Sequence, residues 1–121
     1  MGCVFCDIVE NKLESEKIYE DEKVLAFKDV EPQAPVHFLV IPKKHIKSLN
    51  ELKEQDFENI GHIFKVIKKL VKDLKVENGF RVVNNCGDDG GQTVEHIHFH
   101  VLAKRKMSWP PGWKNNWQLN V

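Results

Sequence analysis

The sequence predicts an α+β fold: a mainly antiparallel five-stranded sheet with one long helix and a short helix. Three observations carry that expectation. Five short β-favouring runs are each bounded by turn residues, a single stretch beginning at Phe57 repeats its apolar residues with helical spacing, and the order is strand, strand, strand, helix, strand, strand.

Lys17-Ile18-Tyr19-Glu20 and Val24-Leu25-Ala26-Phe27 form a hairpin across the polar Asp21-Glu22 turn. Glu31-Pro32-Gln33-Ala34-Pro35 breaks the pattern, because each proline fixes the backbone and removes a donor. Val36 to Ile41 is the third strand, stopped by Pro42. Ser48 followed by Glu51 reads as a capping box that starts a short helical turn. Phe57, Ile60, Phe64, Ile67, Val71 and Leu74 recur at steps of three and four and are expected on one buried face, with Lys65, Lys68, Lys69 and Lys72 opposite. Asn78-Gly79 is the expected end of this helix, since glycine accepts the left-handed geometry of a cap. Phe80 to Asn84 and Glu95 to Ala103 supply the fourth and fifth strands.

The chain of 121 residues has room for one domain, 1–121, with a cysteine-bearing amino-terminal segment (1–15) and a Trp/Pro-rich tail (104–121). Its composition, 41% hydrophobic and 30% charged, is that of a globular protein. Lys plus Arg balance Asp plus Glu at 18 each, which argues against a phosphate-tracking nucleic-acid binder. The charge is unevenly spread, with nine acids against four bases in residues 1–35 and nine bases against five acids in 36–75. The longest apolar patch, around Phe38–Ile41, falls far short of the about 20 residues a membrane span needs. No secretory pattern follows Met1, and Cys6 stands where myristoylation requires Ser or Thr. Three cysteines without an export signal read as thiols or metal ligands rather than bridges.

The chemistry concentrates in His96-Ile97-His98-Phe99-His100-Val101-Leu102. On a strand, side chains two apart share a face about 6–7 Å from each other, so Ile97, Phe99 and Val101 enter the core and three imidazoles line the other side. Packing does not explain such a row, because neighbouring imidazoles resist joint protonation. Two chemistries use it. HxH pairs ligate metals in hydrolases; alternatively, one neutral imidazole attacks an electrophile while its neighbours orient it and donate to developing charge. The preceding Asn85-Cys86-Gly87-Asp88-Asp89-Gly90-Gly91-Gln92-Thr93 favours the second, offering amides and a hydroxyl suited to phosphate oxygens, although Asp88, Asp89 and Glu95 keep a metal open.

His-Ile-His-Phe-His-Val-Leu matches the signature of the histidine-triad superfamily. Residues 32–46, Gly90-Gly91-Gln92-Thr93-Val94 and Trp109-Pro110-Pro111-Gly112 resemble its histidine-triad nucleotide-binding (Hint) branch, in order along the chain. The resemblance implies a homodimeric purine nucleoside phosphoramidase that hydrolyses the P–N bond of AMP linked to an amine, including lysyl adducts. It implies His98 as the nucleophile, His100 on the phosphate, Thr93 assisting the departing amine and His37 steadying the triad. Asn85, Gly91 and Gln92 would line phosphate and ribose, Asp29 would take the ribose hydroxyls, and Val30 would lie against the base. The ligands expected are AMP, GMP and their phosphoramidates. Sister-branch diadenosine polyphosphate hydrolysis and a non-catalytic nucleotide-binding scaffold are the alternatives.

Cys3-Val4-Phe5-Cys6 is a CxxC whose own reading stays open between a zinc half-site, a redox pair and chance. Superfamily members with this pair hold zinc through it, a histidine after the third strand and the first triad histidine; here those are Cys3, Cys6, His45 and His96. Many Hint-branch proteins lack both cysteines, so the metal is expected to be structural, with no cofactor required for catalysis. Cys86 is expected to be a passive loop thiol and His62 a surface or packing residue. Trp109, Trp113 and Trp117 suggest a self-packed tail or an interface anchor. The expected compartment is the cytoplasm, with nuclear entry open to a 14.1 kDa chain.

Overall fold

The computed structural model describes residues 2–112. Strands β1 (Lys17–Glu20), β2 (Val24–Lys28), β3 (Val36–Pro42), β4 (Phe80–Val83) and β5 (Phe99–Ala103) pair antiparallel throughout, in the order β1-β2-β3-β5-β4. The long helix α2 (Phe57–Asp73) covers one face and a short helix α1 (Val4–Val9) sits against the other. The α+β architecture expected from the sequence is therefore the one observed. No helix among the described residues is long and apolar enough to cross a membrane.

Strand alternation assigns the side chains to two layers. Val24, Ala26, Phe38, Val40, Phe99, Val101 and Ala103 pack with Ile63, Val66, Ile67, Leu70 and Val71 of α2. Leu25, Phe27, Leu39 and Ile41 point the other way and meet Phe5 and Ile8 of α1. The hairpin turn is tied by Asp21, whose Oδ1 accepts the amides of Lys23 and Val24 at 2.8 Å each.

Several expected boundaries differ. The buried stripe of α2 is rotated from the expected one: Phe57, Phe64 and Leu74 are exposed, whereas Ile63, Val66 and Leu70 are buried. The apolar sector is wide, and the smaller branched residues fit the close approach to the sheet, leaving Phe64 edge-on to Phe99 at 5.4 Å. The helix also ends before Asn78-Gly79. Val76 N–H bonds Val71 O and Lys75 N–H bonds Lys72 O, with Lys75 at φ 61, the double bond of a Schellman cap. Burial of Val76 drives that early stop. The expected short helix is a 3-10 turn over Leu49–Glu51 capped by Ser48, and a second such turn spans Glu54–Asp56.

Helix α1 was not legible as a helix, because six residues are too few to show a period; Cys3 caps it, its Sγ accepting the Cys6 amide at 3.2 Å. Strand β5 begins at Phe99 rather than Glu95. Ile97 N–H turns to Ile46 O at 2.7 Å, and the Asn84 side chain, not a β4 amide, bonds His98 O at 2.8 Å. Ile97, Phe99 and Val101 nevertheless enter the core as expected. Trp113 and Trp117 lie outside the described residues; Trp109 is 83% exposed.

Candidate functional site

The α1 face of the sheet carries the imidazoles. β3 supplies His37, β5 supplies His100, and His98 stands just before β5, its ring edge-on to Phe5 of α1 and to His100, each at 5.1 Å between centroids. These rings border a recess of about 550 Å³ whose apolar wall includes Phe5, Ile8, Leu13, Phe27 and Leu39 and whose polar end gathers Asp29, Thr93, His37, His98 and His100. Val30, 90% exposed, forms part of its rim. An apolar trough leading to convergent polar groups suits a small ligand with a flat hydrophobic part and an anionic part.

Hydrogen bonds fix the tautomers. A carbonyl only accepts, so the 2.7 Å contact between His98 Nδ1 and His96 O places the proton on Nδ1 and the lone pair on Nε2. The amide of Gln33 donates to His37 Nδ1 at 3.0 Å, so His37 carries its proton on Nε2. That Nε2–H lies 2.9 Å from His100 Nδ1, which must accept, and His100 therefore keeps its proton on Nε2 as a donor. Two neutral imidazoles, one with a free lone pair and one with a free N–H, stand side by side. Burial lowers the pKa of His98, and it brings His100 down to about 4 with His98 and His37 adding and Asp29 opposing. Burial likewise lowers His37, against the pull of Asp29. All three are neutral at physiological pH.

Asp29 sits behind the imidazoles, its Oδ2 3.3 Å from His37 Nε2 and 3.9 Å from His100 Nδ1, while Oδ1 accepts the Glu31 amide. Two histidines and one carboxylate at these distances resemble a facial metal site. The donor set does not fit one. His37 could offer Nε2 to a metal only by moving its proton to Nδ1, and there the proton would meet the Gln33 N–H.

The glycine-loop residues are held by bonds within the chain. Gln92 fastens the glycine loop: its Oε1 accepts Gly87 N–H, and its Nε2 donates to Lys47 O and Val94 O. Asn85 Nδ2 donates to Gly90 O, and the residue borders a neighbouring hollow rather than the recess. The amides of Gly87, Gly91 and Gln92 are all used within the loop, so Thr93 is the loop residue that reaches the recess. Gly90 packs so close to the Cys86 carbonyl that a Cβ would collide with backbone, and Gly91 has φ +80; the loop needs glycine at both places.

His96 belongs to a second constellation. Its ring is fully buried and turned away from the recess, with Nε2–H donating to Pro42 O at 2.8 Å. Its Nδ1 lies 3.4 Å from Cys3 Sγ, 3.6 Å from Cys6 Sγ and 3.3 Å from His45 Nδ1, and Cys6 Sγ lies 3.3 Å from that same His45 nitrogen. A tetrahedral zinc site with ordinary bond lengths separates sulfur from nitrogen by about 3.6 Å and two nitrogens by about 3.4 Å. Four of the six donor pairs stand within about 0.3 Å of those separations and all lie within 4.8 Å of one another, and the Pro42 carbonyl holds His96 in the ligating tautomer. Burial and the neighbouring Cys3 push the Cys6 thiol up to about 11, and burial lowers His96 to about 4.

His62, expected as a surface or packing residue, joins α2 to the hairpin through a 2.7 Å contact with Asp21 Oδ2, the oxygen that also accepts the Tyr19 hydroxyl. No pattern in the sequence signals that pair. Gln33 was equally invisible as a site residue, since its contribution is a backbone amide.

A family model described as scavenger mRNA decapping enzyme C-term binding matches residues 2–110. A 14 kDa zinc-binding protein of Zea mays is 45% identical over 111 residues, 90% of this chain and 87% of that protein. Among solved structures, a HIT family hydrolase from Legionella pneumophila is 44% identical with a TM-score of 0.89, covering 92% of this chain and 100% of that one. A histidine triad nucleotide-binding protein from Candida albicans is 30% identical with a TM-score of 0.78, covering 98% of this chain and 90% of that one.

Proposed function

The chain belongs to the histidine-triad (HIT) family, and from that premise we propose that it is a nucleotide hydrolase, more narrowly a purine nucleoside phosphoramidase acting through His98. The observation that carries this reading is the pair of fixed tautomers: an unprotonated His98 Nε2 beside a His100 Nε2–H, at the polar end of an apolar recess. The hydrolase and nucleotide-binding names of the similar structures support the reaction class.

In the proposed reaction the nucleoside occupies the recess with its phosphoryl group before the imidazoles. His98 Nε2 attacks phosphorus, an N–P bond forms, and the bond to the amine breaks with its electron pair leaving on nitrogen. The amine takes up a proton, passed by the Thr93 hydroxyl, which regains one from water. The nucleotidyl-imidazole carries positive charge next to the His96 carbonyl that already accepts from Nδ1. His100 Nε2–H donates to a phosphoryl oxygen, and His37 keeps that proton there by donating to His100 Nδ1. Water then adds OH to phosphorus, AMP departs, and the His98 lone pair is restored.

Cys3, Cys6, His45 and His96 would hold a zinc ion, which when bound supplies cross-linking of α1 to the sheet rather than Lewis-acid chemistry. Homodimer formation is supported by the outer edge of β4, which pairs with no strand among the described residues, and by the exposed Phe64 and Phe80. The deciding experiment is rapid quenching of the enzyme with a fluorogenic AMP-amide: a nucleotide should be found on His98, and His98→Asn should yield neither adduct nor product. Product without any adduct would sink the reading.

A further inference from the structure

The face that bears the imidazoles continues beyond His100. Cross-strand pairing sets Val83 of β4 beside His100 and Arg81 beside Leu102, so all four side chains share that face. Arg81, Val83 and Leu102 line a second hollow of about 420 Å³, together with Asn85, Arg105, Lys106 and residues of the following segment, Met107, Ser108, Pro111 and Gly112. Among the described residues its lining holds three cationic side chains and no carboxylate. Neither Arg81, Arg105 nor Lys106 forms a salt bridge among the described residues.

Two of these cations are held in place. Arg81 Nη2 donates to Ser108 O at 2.9 Å, and Arg105 Nη1 donates to Gln33 O at 2.6 Å. Each bond uses one of several guanidinium donors, leaving the rest to face a ligand. Gln33 is also the residue whose amide fixes His37 and whose side borders the nucleoside recess. Arg105, a residue of the hollow, is thus tied to a residue that borders the recess.

We propose that this basic hollow is the leaving-group subsite and that it selects leaving groups bearing an anion. The proposal rests on His98 as nucleophile: with the nucleoside in the apolar recess, the hollow begins at Val83, the cross-strand partner of the His100 assigned to the phosphoryl oxygen. An amine that carries a carboxylate, such as an amino acid joined through nitrogen, fits it; so does the outer phosphate of a P–O–P substrate. In the first case the P–N bond breaks, the amine takes the electron pair and a proton, and the carboxylate stays ionised throughout. A cationic amine is repelled.

The test uses AMP conjugates of γ-aminobutyrate, n-pentylamine and cadaverine, whose amines are of near-equal basicity, with diadenosine triphosphate as the phosphate arm. In the wild-type enzyme kcat/KM should favour γ-aminobutyrate over n-pentylamine by about tenfold, the size of one or two partly exposed charge-assisted contacts, with cadaverine last. Lys106→Gln and Arg81→Gln should each shrink that ratio, and Arg81→Lys should retain part of it. The ratio is read within one preparation, so a general loss of activity cancels. Preference for diadenosine triphosphate that depends on Arg81, without one for γ-aminobutyrate, identifies the anion as phosphate. Equal turnover of the γ-aminobutyrate and n-pentylamine conjugates with no Arg81-dependent phosphate preference overturns the proposal, as does a ratio unchanged in both glutamine variants. If no conjugate turns over at all, the reaction assigned to His98 fails instead. Calorimetric binding to His98→Asn then decides the subsite, which requires the anionic conjugate to bind about tenfold more tightly.

Discussion

The Nδ1 of His98 lies 2.7 Å from the carbonyl oxygen of His96, so the backbone of one triad residue holds the proton of the next. The side chain of His96 meanwhile faces Cys3, Cys6 and His45. Alternation along the chain makes this division possible: residue 96 gives its carbonyl to the recess and its ring to the opposite cluster. The expected consequence is a neutral His98 with its proton on Nδ1 near pH 7. Nitrogen-15 shifts of the imidazole should show Nε2 unprotonated; a protonated Nε2 would remove the nucleophile. Loss of that lone pair in His98→Asn should lower kcat by at least about 10³-fold with the fold intact by circular dichroism.

His37 acts on the substrate only through His100. Replacing it with Phe keeps bulk at a buried position but deletes the donor to His100 Nδ1. The His100 proton can then migrate to Nδ1, leaving Nε2 unable to donate to phosphate. We expect kcat to fall by about 10²-fold with little change in KM, and the nitrogen-15 pattern of His100 to become a mixture of tautomers. An unaltered pattern would show that the Gln33–His37 relay does not set the tautomer.

How much of this was legible in the sequence follows from the kind of signal each residue leaves. The third strand showed because Val36 to Ile41 is a β-favouring, nearly all-apolar run stopped by Pro42, the fifth because Ile97 to Val101 alternates with histidines, and the imidazole row because three histidines at spacing two are rare by chance. Gln33 acts through a backbone N–H that every residue but proline supplies, and Pro42 through a carbonyl that every residue supplies, so neither could be found. The rotation of α2 was hidden because its apolar sector is wider than one stripe, and only the sheet chooses among the faces. Gln92 kept its place next to the site but spends its amide on the loop.

The donor geometry of Cys3, Cys6, His45 and His96 predicts one zinc per chain by metal analysis. Removing it with a strong chelator frees α1 from the sheet. The melting temperature should drop by about 5–10 °C, and Cys6→Ser should reproduce the drop without further loss on chelation. Turnover at temperatures below the transition should largely persist, since the reacting imidazoles are outside the donor set. Abolished turnover with an unchanged melting temperature would instead put the metal in the chemistry.

Asp21 is the hinge pin between the hairpin and α2. It accepts from two amides, Tyr19 and His62, and these bonds hold its carboxyl below the usual range against the cost of burial. Asp21→Ala leaves all four partners without this acceptor and should cost about 2–3 kcal/mol in urea unfolding. His62→Ala, which removes one half-exposed contact, should cost about 1 kcal/mol or less. Equal losses would mean that the helix contact, not the turn, dominates.

The buried neutral imidazoles give the fold a pH dependence of definite sign. Burial lowers His100 to about 4, whereas the unfolded chain titrates near the ordinary value of about 6.5. Between those values the unfolded state binds the proton and the folded state does not, so unfolding is favoured as pH falls. The stability contributed by neutral His100 is complete above the unfolded pKa and is lost as pH descends towards 4. Going from about pH 7.5 to about pH 5.5, this residue alone should remove roughly 1 kcal/mol from the urea-unfolding free energy. His100→Gln, with no proton to bind in either state, should flatten the slope by that amount. Activity should follow the folded state instead: kcat/KM depends on the unprotonated His98 Nε2, whose pKa burial lowers, so it should decline only below the ordinary imidazole range. A midpoint close to 6.5 in the pH–rate profile would mean that the imidazoles titrate as if in water, and the dry recess would no longer account for their neutrality.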